Sequence, residues 1–170
     1  MCEKTVRVAN LLGALSMGIA DRIRLAVADK TALGGEAAAA LTVIGHTAGL
    51  SVDRLGKILR LSHPGTVRVV DRLVAAGLAE RRTAVTDRRA LALHLTPAGE
   101  AERAAMLDSR QLALSTILGE LAPEELPLLE RLVEKMLVSL PCDANAAMTV
   151  CRFCDHGQCS RCPMDQFEAA

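Results

Sequence analysis

Cys151, Cys154, Cys159 and Cys162 stand in the pattern C-x2-C-x4-C-x2-C, with Pro163 directly after. A Cys-x-x-Cys turn aims two sulfurs at one point, so two such turns in succession can surround one soft cation. Zn²⁺ takes four thiolates tetrahedrally at about 2.3 Å. Gly157, in the loop between the turns, lets the second fold onto the first, and His156 beside it is a substitute for one thiolate. The run also allows an iron–sulfur cluster: bacterial ferredoxins end a tight series of cysteines with Cys-Pro, although at other spacings. A thiol switch without metal is the third reading, because a reducing compartment disfavours permanent disulfides but not transient ones. Zinc is the leading expectation, in a structural role, since a tail with little apolar mass needs the binding energy of a metal to fold. Thiolate sites are oxidisable, which gives the tail a route for an oxidant input. Cys2 and Cys142 lie outside the spacing and read as incidental, with Cys142 available as a redox partner.

The second group of chemistry-bearing residues is basic. Arg54, Lys57, Arg60, Arg68, Arg72, Arg81, Arg82, Arg88 and Arg89 face only Asp53, Asp71, Glu80 and Asp87 between positions 51 and 95. Nine cations against four anions leave that stretch at +5 in a chain whose formal net charge is zero. A local excess of arginine within an acidic frame suits a partner that carries phosphate.

Residues 51 to 99 supply the elements to hold these cations. Ser51 is a good N-cap for a short helix with Val52, Leu55 and Leu59 on its buried face. A turn at Leu61–Ser62 leads to a second helix, capped by Ser62 or His63, with Pro64 in its first turn and Gly77 at its end. Val70, Leu73 and Val74 face inward, which leaves His63, Gly65, Arg68 and Arg72 on the polar side. Gly65 would let backbone approach a phosphate. Alternating stretches at 79–83 and 91–95 flank the turn-prone TAVTDRR and predict a hairpin. Thr96 caps the next helix, which runs to Leu118 and breaks at Gly119.

Around this module the apolar pattern is helical. Val8, Leu12, Leu15, Ile19 and Ile23 form one stripe on a helix over 6–30, which ends before Gly34–Gly35. An Ala-rich helix over 36–46 turns Leu41 and Ile44 inward. From near Pro123 to Pro141, Leu126, Leu129, Val133, Met136 and Leu140 make a seam for another helix. Residues 142–149 read as a linker.

The segment LSHPGTVRVVDRLVAAGLAERR, followed by TDRRALALHLTPAGE, resembles the winged helix–turn–helix of the MarR (multiple antibiotic resistance regulator) family of bacterial transcription regulators. The joint signal is Asp-x-Arg at Asp87–Arg89 followed by Leu-Thr-x-x-Gly at Leu95–Gly99. The resemblance implies a homodimer whose terminal helices interlace and whose two winged helices meet the grooves of a palindromic operator. It places Arg68 on the helix that contacts DNA. It places Arg89 in the minor groove with Asp87 orienting it, Arg88 beside them, and Arg81 and Arg82 at the wing base facing phosphate. The chain departs from the family at Thr66–Val67, where an apolar residue followed by Thr is usual. Thr66 is then turned partly inward, and Val67 is offered to a thymine methyl. Relatives that sense aromatic anions use a pocket between dimer helices and DNA-binding lobes. With no Trp or Tyr in the chain, nothing marks such a pocket here.

The expected fold is therefore mainly α with a small β-hairpin: a winged helix–turn–helix flanked by N- and C-terminal dimerisation helices. The expected division is 1–33 for the first dimerisation helix, 34–96 for the DNA-binding unit, 97–141 for the second dimerisation region and 142–170 for the linker and metal-binding tail. The lone histidines His46 and His94 read as packed or surface residues. No phosphate loop, nucleophile elbow or His-Glu-x-x-His occurs, so an enzyme is not expected. No apolar run reaches the ~20 residues of a membrane span, and the N-terminus lacks a signal core, so the expected site of action is the cytoplasm. The expected function is a DNA-binding regulator, a repressor, answering a small molecule or oxidant. The alternative is a redox or electron-transfer protein that uses the cysteines and merely inherits the winged helix.

Overall fold

A computed structural model describes residues 3–28, 34–83, 91–159 and 161–167. The order is α1 (Glu3–Ala28), α2 (Gly35–His46), α3 (Val52–Leu59), α4 (His63–Ala75), β1 (Ala79–Thr83), β2 (Leu91–Leu95), α5 (Pro97–Leu118), α6 (Leu126–Leu137) and α7 (Ala144–Val150). Two single 3-10 turns, His156–Gln158 and Asp165–Phe167, follow. The chain is mostly helical with a small two-stranded sheet, as its patterning predicts.

The core lies where α2, α3, α4 and β2 meet. Leu41, Ile44, Leu55, Ile58, Leu73 and Leu93 are fully enclosed there. Removing a side chain of this size from water stabilises the fold by about 1.5–3 kcal/mol. Helix α2 runs through the centre because its small residues, Ala37 to Ala40, allow neighbouring helices to approach closely. Ile58 and Val69 join the enclosed set, whereas Val52, Leu59 and Val74 sit half-buried at its edge. The sheet is antiparallel, with Ala79 opposite Leu95 and Arg81 opposite Leu93. The chain before α3 adds to the sheet through Leu50, whose carbonyl accepts from the Leu93 N–H at 2.8 Å.

One close approach fixes the wing against the rest. The Leu78 carbonyl accepts from the Thr96 N–H at 3.1 Å, and the Thr96 hydroxyl donates to the Gly77 carbonyl at 2.6 Å. Gly77 has φ +70°, the left-handed turn that ends α4. Gly99 lies directly over Leu78, and a β-carbon there would overlap the Leu78 carbonyl. This is why the start of α5 reads Leu-Thr-x-x-Gly.

The flanking helices differ from expectation in what they bury. Helix α1 lies along α5. Only the C-terminal part of its stripe is covered: Ile23 packs on the core, while Val8, Leu12 and Leu15 are exposed. Helix α6 begins three residues later than Pro123 and stops at Leu137, before Pro141, and none of its residues is buried. The largest correction concerns the linker. Residues Ala144–Val150 form α7, capped by the Asp143 carboxylate, which accepts from the Ala146 N–H at 2.8 Å. That helix packs on α3. An N-cap and a short apolar face suffice for a helix here because a docking surface is waiting for it.

Candidate nucleic-acid interface and cysteine site

Helices α3 and α4 form the helix–turn–helix, and each begins on a serine. The Ser51 hydroxyl accepts from the Arg54 N–H at 3.2 Å, and the Ser62 hydroxyl accepts from the Gly65 N–H at 3.3 Å. Such caps satisfy donors that no helical carbonyl can reach, each stabilising by about 1 kcal/mol. Between the helices Arg60 turns left-handed, at φ 55°. Its N–H donates to Lys57 at 3.3 Å, and the Leu61 N–H donates to Gly56 at 3.0 Å. Gly56 is needed at this crossing, since a β-carbon there would press on the Thr66 hydroxyl at 2.7 Å.

The exposed face of α4 carries Arg68 and Arg72, with Gly65 half-buried at the same edge. Arg68 makes no ion pair with any described residue, so its guanidinium is uncommitted. Arg72 stands 3.8 Å from the Glu36 carboxylate. His63 is exposed, and its Nδ1 donates to Asp53 at 2.8 Å, which ties the first turn of α4 to the first turn of α3. Val67 is half-exposed. Thr66 is a correction among the expected contact residues. Its side chain is fully enclosed and its hydroxyl donates to the Ser62 carbonyl at 3.0 Å, so no duplex can reach it. Gly65 also has a local explanation: its N–H serves the cap, and a β-carbon would come within 3.2 Å of the Ser62 hydroxyl.

At the wing base Arg81 donates to Asp71 at 2.7 Å, bridging β1 to α4, and Arg82 pairs with Glu80. Arg81 is the more buried of the two and braces the hairpin against the helix. Asp87, Arg88 and Arg89 lie outside the described residues. Arg54, Lys57 and Arg60 are exposed on and after α3, and residue patterning did not single them out as contacts. Their signal was the local charge excess alone.

The four cysteines are distributed unevenly. Cys151 is buried, Cys154 and Cys162 are half-buried and Cys159 is exposed. Cys151, with Ala147 and Met164, forms a small second core, against which Cys154, Cys162, Leu137, Val150 and Phe167 pack. The neighbouring Cys151 thiol, reinforced by the nearby Arg110 charge, outweighs burial and lowers the Cys154 pKa to about 6. Cys151, beside Cys154 and desolvated, is pushed upward. Burial also pushes Cys162 up. Among the described residues no three metal-binding side chains are gathered at ligand geometry. The four thiols are the soft donor set that zinc takes, but their arrangement would have to close before they could share one ion. His156 is turned toward the body of the protein, its ring stacked on His46 at 3.3 Å between centroids.

A capped two-helix reader with an uncommitted arginine, braced by a hairpin, defines the class as a winged helix–turn–helix. Residues 33–90 match the model of the MarR family. The fold matches a MarR family protein from Bacillus stearothermophilus at 25% identity and TM-score 0.72, covering 82% of this chain and 97% of that one. It also matches FabT of Streptococcus pneumoniae, solved in complex with DNA, at 17% identity and TM-score 0.64, over 80% of this chain and 96% of that one. A third match is a point mutant of MepR from S. aureus, bound to an oligodeoxyribonucleotide, at 20% identity and TM-score 0.58, over 79% of this chain and 98% of that one. The described residues have the fold of the MarR-family proteins they match, and the similarity to the family's own model spans residues 33–90. No helix among the described residues is long and apolar enough to cross a membrane.

Proposed function

We propose that this protein is a homodimeric, sequence-specific DNA-binding regulator that represses transcription from a palindromic operator, and is not an enzyme. The observation that carries the reading is Arg68: exposed, without an ionic partner among the described residues, on a helix whose cap, core and bracing arginine fix its direction. Such a side chain can bond the edge of guanine in the major groove. The wing residues Asp87, Arg88 and Arg89 would follow the adjacent minor groove, where a narrow A·T-rich stretch attracts arginine. FabT and the MepR mutant, with the same fold, were solved with DNA. The exposed apolar side chains of α1 and α6 supply a dimer surface. The site of action would be the cytoplasm.

Binding to DNA from the chain's own promoter region, measured across a salt series, tests this. Several phosphate contacts per dimer make affinity fall steeply with salt. Arg68→Ala is expected to cost about 1–3 kcal/mol and relax sequence preference, and Arg89→Ala to weaken binding. Affinity unchanged in Arg89→Ala removes the wing assignment. No binding to DNA, together with a brown chromophore, would leave the electron carrier as the function.

The cysteines add an input. Cys151, Cys154, Cys159 and Cys162 would hold one Zn²⁺ as thiolates, with metal or oxidant status tuning operator occupancy.

A further inference from the structure

Helix α7 has two faces, and each belongs to a different core. Met148 enters the main core, and Phe153, just beyond the helix, packs against it. Ala147 and Cys151 enter the small core with Met164, Cys154 and Cys162. Anything that tightens the cysteine turns therefore tightens the seat of α7 on α3.

The contact made on α3 is specific. Ile58 is in the last turn of α3, where carbonyls lose their helical donors. The N–H groups of Arg60 and Leu61 are turned to Lys57 and Gly56, and do not serve it. The Thr149 hydroxyl stands 2.8 Å from the Ile58 carbonyl, in a bond that is buried. Its one proton is shared with the Asn145 carbonyl, one turn back in α7, at 2.9 Å. A residue of the tail thus completes the end of α3 immediately before the chain turns into α4. His156 on His46 fastens the tail to α2 as well. The matched regulators span 79–82% of this chain but 97–98% of two of their own chains, so about a fifth of this protein lies beyond their common fold.

We propose that the tail is a zinc-dependent clip on the helix–turn–helix of its own chain. Zinc held by Cys151, Cys154, Cys159 and Cys162 locks α7 against α3, and through Thr149 fixes the turn that aims α4. This rests on the zinc reading of the cysteines. It assigns their effect to the α3–α4 turn within one subunit, and not to the spacing between subunits. Loss of the metal frees α7, so the α3 end opens and α4 loses its fixed direction.

Hydrogen exchange of the full chain, stripped by chelator and then titrated with zinc chloride, is the test. Zinc content is measured in parallel by elemental analysis. One zinc per chain is expected, with exchange at the amides of Arg60 and Leu61 slowed about tenfold on binding. Cys154→Ser combined with Cys159→Ser should lose both the metal and the slowing. Thr149→Val should keep the metal and lose most of the slowing. Zinc bound without slowing in the parent protein overturns the clip and leaves the metal site standing. Failure to take up zinc, or recovery of an iron–sulfur chromophore instead, overturns the clip together with the zinc assignment. Neither result bears on DNA binding, which the salt series measures separately.

Discussion

The lobe formed by α2, α3 and α4 and the pair α1 and α6 draw on the same apolar palette of Ala, Val, Leu, Ile and Met, yet they end up in opposite states. In the lobe the stripes close on one another: Leu41, Leu55, Ile58 and Leu73 are sealed from water within the chain. On α1 and α6, Leu11, Leu12, Leu15, Leu128, Leu132 and Met136 stand at least two-fifths exposed. Contiguous apolar faces of this kind mark interaction surfaces in soluble proteins. A stripe that its own chain covers makes a core, and one left uncovered is the surface that the proposed dimer would use. The contrast separates the lobe proposed to read a duplex from the part that would set the distance between two copies.

Substitutions can break that contrast from either side. The largest effect is expected from Leu132→Glu combined with Met136→Glu. A charge buried without a partner costs about 3–5 kcal/mol, and a symmetric pair would carry it twice. Sedimentation should then show monomers, while the parent protein is expected to sediment as a dimer. A parent that is monomeric at working concentration would erase the distinction between the two regions. Next is Leu73→Ala, which opens a cavity in the lobe and should lower unfolding stability by about 2–5 kcal/mol, read from a denaturant midpoint. The smallest is Ser62→Ala, which removes the cap of α4 and should cost about 1 kcal/mol, with the oligomeric state unchanged. If Ser62→Ala instead altered the oligomeric state, the lobe and the dimer surface would not be separable.

Much of the reader was legible from local chemistry. Ser51 and Thr96 were expected as caps, and Ser62 or His63 as the third; Ser51, Ser62 and Thr96 each cap a helix, because a cap is a bond across three residues. The strands at 79–83 and 91–95 appear where the alternation placed them. Thr66 was less legible. Its place in the family pattern turned it partly inward, and only the crossing of α3 at Gly56 shows that the side chain is fully enclosed. Residues 142–149 were misread as a linker because their sequence is short and Ala-rich, with too few apolar positions to show a period. Asp143 as N-cap was the one local sign of α7.

The order of amino acids alone determined where α3, α4 and α5 begin, which face of α4 carries arginine, and that four cysteines recur at metal-ligand intervals. These properties depend on neighbours within one or two turns, and short-range hydrogen bonds and helical periodicity express them directly. Tertiary structure alone decided where the tail goes. The bond from Thr149 to Ile58 joins positions 91 residues apart. No periodic pattern encodes such a meeting, because it exists only once both cores have formed and their shapes leave α7 one place to dock.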